Sequence, residues 1–491
     1  MAKRRKREAK FDPDNLNKSV IALPLLEEMI DNPEKVHRVL IDVNLDHIAG
    51  RKIARELLIN EIKKVIAVTD PQGSYVMEEE SEENQQYVFA YLSSNVVQEI
   101  ARSEALNNPE TRYKLIYKIW PDFPVSMLVS SSIKTVKADA AKRSFSAFGY
   151  DIVWAVLDSG VDKQHPHFTG TGVNGQQFSN LDTGYDKDFT GSPSNPGDPF
   201  HDENGHGTHV AGIIAGEGRN VVAAAKFLTE SNKTEFKLLQ IPEISGIAAK
   251  CKIVSLKVLD AQGNGHTSNI IRALNHVQEI NSYGRDIKIH GINISLGNHF
   301  EPEWFACGQS PLCVEVNRLV KSGVVVVVAA GNSGYGYLKN IKEESFTAGL
   351  TLSIFDPGNA EYAITVGSTH RDMPHVYGVS YFSSKGPTGD GRLKPDLVAP
   401  GEKIISCATG FKKAKLQNIS TPFEYVEDSG TSMAAPHVSG VIAAFLSVRR
   451  EFIGQPEKVK DIFVSTATDL KRDRYFQGSG LVDLMRALQS V

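Results

Sequence analysis

The sequence has few cysteines, no long hydrophobic run and no surplus of charge, and each shortage removes a class of protein. Its four cysteines, Cys251, Cys307, Cys313 and Cys407, are too sparse in 491 residues for a disulfide framework, and none lies in a C-x-x-C pair. Only Cys307 and Cys313 are near enough to invite a small local bridge, and a reduced pair is the default for a cytosolic chain. The longest apolar candidate, Val324 to Ala330, falls far short of the roughly 18 residues that span a bilayer and runs into Gly331-Asn332. No membrane span and a soluble protein are therefore expected. A formal net charge of -4 argues against nucleic acid as a partner. The basic start, Met1 to Lys10, leads into Phe-Asp-Pro-Asp-Asn instead of the apolar stretch of a secretory signal. Residues 1–20 read as a basic, disordered tail, and the expected location is cytoplasmic.

What is present is a globular composition, 41% hydrophobic and 23% charged, long enough for a large core and a further unit. From His37 to Asp122 the pattern runs strand, helix, strand, helix, strand. His37 to Leu45 alternates as a half-buried strand does, and Ile53, Leu57, Leu58, Ile62 and Val65 follow at helical spacing. Tyr87 to Leu92, Asn95 to Ala105 and Leu115 to Trp120 complete the order of a small α+β, ferredoxin-like sandwich. The acidic run Glu78 to Glu83 between them reads as a solvated loop.

From Asp151 onward, short apolar runs alternate with helical patterns, which predicts an α/β unit with a doubly wound, mostly parallel sheet. Its strands are legible at Ile152 to Leu157, Lys252 to Leu259, Gly291 to Leu296, Val324 to Ala330 and Tyr362 to Gly367. The run Val324 to Val328 is continuous, as a strand covered on both faces requires. A helix is predicted from Thr267-Ser268 to about Gly284, with Ile270, Ile271, Leu274 and Val277 on one stripe.

Three segments could carry chemistry. The first run ends in Asp158-Ser159-Gly160, which puts a carboxylate at the carboxyl edge of a buried strand, although Asp-Ser-Gly is also an ordinary turn. In Asn204-Gly-His206-Gly-Thr-His209-Val-Ala-Gly, glycines flank His206 where a buried helix begins. His201, His206 and His209, with Asp202 nearby, could instead be a metal cluster, but the spacing is not His-Glu-x-x-His and no carboxylate holds the base position. In Gly430-Thr-Ser432-Met-Ala-Ala-Pro436-His-Val-Ser-Gly440, a hydroxyl stands at the start of an apolar helix running to about Val448, either as a nucleophile beside free N–H groups or as a cap.

Taken together, the order Asp, His, Ser is the one found in subtilisin. Asp158-Ser-Gly, His206-Gly-Thr-His-Val-Ala-Gly and Gly430-Thr-Ser432-Met-Ala resemble the three signature motifs of the subtilisin-like serine peptidase family. The resemblance spans about Asp151 to Ala487, including Ser383-Ser-Lys-Gly386-Pro, Leu397-Val-Ala-Pro400-Gly and Gly478-Ser-Gly480. It implies a sheet of the subtilisin type and a serine endopeptidase whose triad is Asp158, His206 and Ser432, with Asn332 as an oxyanion donor. It also implies that Ser295, Leu296 and Gly297 pair with the substrate backbone, and that Ala329, Ala330 and Gly331 wall the pocket for the residue before the scissile bond. Small residues there leave room for a sizeable apolar side chain, while Phe355, just before Asp356-Pro-Gly358, is placed to fill the pocket floor.

The same resemblance makes residues 21–128 a prodomain-like unit that assists folding and inhibits intramolecularly, and residues 129–491 the peptidase. Phe123 to Ser131 would occupy the cleft, with a cut near Leu128; the alternative is a permanent accessory domain. The expected partners are polypeptide substrates and this N-terminal unit. No metal or organic cofactor is required for such chemistry. A structural calcium is raised by the resemblance, but His167 stands where many relatives have an acidic ligand, and Glu217 to Ile244 is an insertion near their calcium loop. Two other function classes remain: a degenerate peptide- or partner-binding protein, and a metal-dependent hydrolase using His201, His206 and His209.

Overall fold

A computed structural model describes residues 20–78, 81, 86–107, 110–121, 131–171, 177–181, 183–191, 197–228, 234–300, 306–339, 345–414, 416 and 422–491. The chain divides into two compact units, Met1–Ser126 and Met127–Val491. The expected cleft segment from Phe123 to Ser131, apart from its last residue, and most of the acidic run lie outside the described residues.

The first unit is built on four antiparallel strands in the order Tyr75–Val76, Tyr87–Ser93, Val36–Val43, Ile116–Pro121. Alternation makes one face apolar: Val39, Ile41, Val88, Ala90, Leu92 and Ile119 are buried against Leu58 and Ile62 of helix Arg51–Thr69 and Val96, Val97 and Ile100 of helix Ser94–Asn107. That order of strands and helices is the split β-α-β sandwich expected from sequence. On the opposite face Trp120 pairs with Leu40, and Leu40 with Phe89; Trp120 is 39% exposed, and Leu40 and Phe89 are half-buried.

The second unit is organised by a seven-stranded sheet. Its order is Leu397–Glu402, Ile364–His370, Val325–Ala329, Gly291–Ile294, Val153–Asp158, Lys252–Lys257, Lys187–Asp188, and every pairing is parallel. Central strands are buried on both faces, which is why they read as unbroken Val/Ile runs. Helices Thr267–Ile280 and Pro311–Lys321 cover one side through Ile270, Leu274, Val277, Leu312, Val316 and Leu319. Helix Thr431–Val448 fills the other. It is long and apolar enough to cross a membrane by length and composition, a feature absent from the sequence reading, but 83% of it is buried. Such a helix belongs to the core.

The segment from Glu217 to Ile244, read only as an insertion, forms an antiparallel hairpin of strands Glu217–Leu228 and Thr234–Ser245. It joins a second sheet with Tyr425–Asp428 and Ile404–Cys407. All four cysteines are buried and free, Cys307 and Cys313 included.

Candidate active site

Register decides which residues meet. Leu157 lies opposite Ile294, and Ile294 opposite Val328, so the residues just beyond these three strands gather at one carboxyl edge of the sheet: Asp158, Ser295 and the turn from Ala330 to Asn332. This is where open parallel sheets place their sites.

Asp158 is fully buried at its strand end, and its Oδ1 accepts from His206 Nδ1 at 2.7 Å and from the Ser159 N–H at 2.8 Å. A carboxylate can only accept, so the imidazole proton must sit on Nδ1 and Nε2 carries the free lone pair. The His206 side chain is 23% exposed, open enough for a substrate to reach that nitrogen. Burial of the ring disfavours the imidazolium, but the Asp158 charge and hydrogen bond outweigh it, and the His206 pKa is raised above its ordinary value.

His206 opens helix His206–Ile214, and its turn is clamped by Asp202, which the sequence offers only as a neighbour of a possible metal cluster. Asp202 is buried and accepts from the Gly205 N–H at 2.8 Å, the Thr208 N–H at 2.9 Å, the Thr208 hydroxyl at 2.6 Å and the Ser159 hydroxyl at 2.8 Å. Ser159 Oγ in turn accepts from the Gly207 N–H at 3.0 Å. One carboxylate thus ties the turn after Asp158 to both sides of His206. The N-cap of this helix is Gly205, not Asp202, so no local capping signal marks the role of Asp202 in the sequence.

Ser432 is the second residue of helix Thr431–Val448, where backbone N–H groups have no partner within the helix. Pro436 lies four residues on and lacks an N–H, so the Ser432 carbonyl receives no helical bond. It accepts the Ser295 hydroxyl at 3.0 Å instead, while Asn293 Nδ2 donates to Ser295 Oγ at 2.8 Å. The Ser432 hydroxyl itself donates to the Ser295 carbonyl at 2.9 Å, rather than to His206.

Asn332 Oδ1 accepts from the Thr431 N–H at 2.9 Å and the Thr431 hydroxyl at 3.0 Å. Because the backbone N–H can only donate, the amide orientation is settled and Nδ2 faces away from Thr431. A Cβ at Gly430 would stand 3.5 Å from that Nδ2 and 3.7 Å from the Ser432 nitrogen, so two donors border one small space. Such a pair can hold a developing oxyanion.

Beside this pair, Ser295 is buried, Leu296 half-buried and Gly297 exposed beyond the strand. Ala329 and Ala330 are buried, and Ala330 uses both backbone groups, its N–H to Val366 and its carbonyl from Phe355. Gly331 then turns the chain toward Asn332.

The histidines of the metal reading do not converge. His201 is exposed and bonded to Glu203 at 3.0 Å, whereas His209 is fully buried with Nε2 on the Val426 carbonyl at 3.1 Å. Burial holds His209 at a pKa of about 3. Among the described residues no group of three His, Cys, Asp or Glu side chains is placed to hold a metal ion. His167, at the position of the calcium ligand implied by resemblance, is buried with Nδ1 at 3.1 Å from the Tyr425 hydroxyl and Nε2 at 3.1 Å from the Gly212 carbonyl. It offers no anionic oxygen, and both nitrogens are engaged, so this position does not fit calcium.

An Asp-oriented imidazole, a serine at a helix start and a two-donor pocket on a parallel sheet define an α/β serine hydrolase. More narrowly, the chain belongs to the subtilase family, whose profile matches residues 149–481, and is a subtilisin-like serine protease. It is 28% identical to subtilisin E of Bacillus subtilis (strain 168) over 404 residues, 82% of each chain. It is 29% identical to serine protease AprX of the same organism over 379 residues, 75% of this chain and 73% of that one. With pyrolysin of Pyrococcus furiosus it shares 32% identity over 320 residues, 58% of this chain but only 21% of pyrolysin. A crystal structure of a cold adapted subtilisin-like serine proteinase aligns with 68% of this chain and 88% of its own at 27% identity and a TM-score of 0.43.

Proposed function

We propose that the protein cleaves polypeptides through an acyl-enzyme on Ser432, with His206 as general base and acid, Asp158 as its orienting carboxylate, and the oxyanion held by Asn332 Nδ2 and the Ser432 N–H. The hydrogen bond of 2.7 Å between His206 Nδ1 and Asp158 Oδ1 carries this reading, because it leaves Nε2 as the base. Ser432 Oγ leaves the Ser295 carbonyl, gives its proton to Nε2 and attacks the peptide carbonyl carbon. The imidazolium, stabilised by Asp158, then protonates the leaving amine. Water repeats the two steps on the ester and restores the serine. Every group in the cycle belongs to this chain, so no added cofactor is required for it, and the cytoplasm is the proposed location.

The N-terminal unit is proposed as an intramolecular inhibitor released by self-cleavage. Two features support this: the match to subtilisin E is longer than the second unit alone, and one sheet face of the first unit presents Trp120, Leu40 and Phe89. The experiment is a fluorophosphonate reaction and intact mass spectrometry on the full chain beside Ser432→Ala. Labelling and two fragments confined to the unsubstituted protein are expected. A folded protein that takes no label overturns the proteolytic reading, and one unbroken but labelled chain makes the first unit an accessory domain.

A further inference from the structure

We infer that Phe355, packed against His299, closes the floor of the cleft between Ser295–Gly297 and Ala329–Gly331, so that the enzyme prefers a small residue (Gly, Ala or Ser) immediately before the scissile bond. This rests on reading that cleft as the peptide site, and it sets aside the sizeable apolar residue that the small wall residues had suggested.

The backbone shows how the floor is placed. The Phe355 N–H donates to the Ala330 carbonyl at 3.0 Å. The next residue, Asp356, pairs with Asn298 in both directions, N–H to carbonyl, at 2.9 and 3.0 Å. A single dipeptide is therefore stitched to the end of each wall, and the Phe355 side chain starts between them. Asp356 is fixed further by Asn359 Nδ2, which donates to its Oδ1 at 2.9 Å. The neighbouring Ile354 is 3% exposed and takes the core position, which leaves Phe355 half-buried on the other side of the chain.

The ring lies against bare backbone. A Cβ at Gly331, where φ is +106°, would come within 2.7 and 2.8 Å of Phe355 Cδ1 and Cγ. A Cβ at Gly297 would meet the Asp356 carbonyl oxygen at 2.5 Å and Phe355 Cβ at 3.5 Å. Gly331 thus admits the protein's own aromatic ring, and Gly297 admits the backbone and Cβ that carry it. His299 backs it, with ring centroids 4.2 Å apart and planes at 50°. A packed aromatic cannot be displaced by an incoming Phe or Tyr without opening the space it fills, whereas an Ala methyl or a Ser hydroxymethyl needs no such space.

The test is cleavage of a quenched-peptide series, varied only in the residue before the scissile bond, by the full chain titrated with a fluorophosphonate so that rates refer to folded enzyme. Ala or Ser should exceed Phe, Tyr and Leu by about tenfold or more in kcat/KM, the range in which hydrophobic pockets discriminate by size. Phe355→Ala should reverse the order, raising the Phe-to-Ala and Tyr-to-Ala ratios of kcat/KM by about a hundredfold, and Phe355→Leu should fall between. The Leu variant keeps the test decisive if the Ala variant does not fold. Equal rates for Ala and Phe in the unsubstituted enzyme, or a preference that Phe355→Leu leaves unmoved while labelling is normal, overturns the inference but not the protease. An unsubstituted protein that takes no label overturns both.

Discussion

Asn332 and Thr431 are joined by two hydrogen bonds to one oxygen, since Asn332 Oδ1 accepts both the N–H and the hydroxyl of Thr431 at 2.9 and 3.0 Å. The Thr431 hydroxyl also accepts from the Gly331 N–H at 3.2 Å. The turn that carries the proposed oxyanion donor is thereby fixed to the helix that carries the proposed nucleophile. Neither can shift without the other.

The first prediction follows from that lock. Asn332→Ala should lower kcat by about 10²–10³ with KM little changed, a magnitude known from subtilisin itself for the loss of such a donor. Thr431→Val keeps the backbone bond and loses the hydroxyl, so a smaller drop, about tenfold, is expected from one or two hydrogen bonds of about 1 kcal/mol each. Steady-state kinetics on titrated enzyme separate the two. A Thr431→Val enzyme with the full kcat would show that the backbone bond alone aims the amide.

The second prediction concerns pH. His206 must be neutral to act as a base, and its pKa is raised because Asp158 outweighs the cost of burial. The acid limb of kcat/KM should therefore have its midpoint above the ordinary histidine value of about 6.5. Asp158→Asn removes the charge that is the larger upward influence and leaves burial, which acts the other way and outweighs the lesser, opposed charges of Lys412 and Asp428, so the limb should move to lower pH while kcat falls by about 10⁴. For stability the sign is opposite to that for activity. The charged pair contributes fully below about pH 6.5, and its contribution is lost as pH rises through the raised value of the folded state. Rate and melting profiles across pH 5 to 9, roughly the histidine range, check both signs.

Much of this was legible in the sequence because the residues obey local rules. Val325–Ala329 is a bare Val run since both of its faces are buried, and helix Thr267–Ile280 shows its stripe because only one of its faces is. What escaped depends on pairing across long separations. The hairpin Glu217–Leu228 and Thr234–Ser245 is partly exposed, so its alternation is weak, and Tyr75–Val76 is too short to announce itself. At the site, Asp158, His206 and Ser432 are readable as motifs, whereas the bond between Ser432 and Ser295 exists only because the start of helix Thr431–Val448 meets the end of strand Gly291–Ile294. The place of Phe355 at the pocket floor is readable from sequence, whereas its contacts with Gly331, Gly297 and His299 come from two other segments and depend on the fold.

The last prediction is for Asp202, which touches no substrate and acts as a positioning residue. Its four hydrogen bonds run to Gly205, to Thr208 twice and to Ser159, so they bracket His206 in sequence and reach the residue after Asp158 in space. Asn in its place has one accepting oxygen and a donating NH₂ group, so at least one buried N–H or hydroxyl must lose its acceptor, at about 1–3 kcal/mol for each group stranded. Asp202→Asn should therefore lower the melting temperature. A misplacement of the imidazole by about 1 Å should also cost about 10² in kcat. The measurement that separates positioning from mere stability is the kinetic split at a temperature where the variant is fully folded by fluorophosphonate titration. There kcat should fall while KM for a good peptide stays within about threefold, because the peptide cleft is built from other segments. A variant with reduced stability and an unchanged kcat would confine Asp202 to holding the loop, and would leave the Asp158 bond sufficient by itself to aim His206.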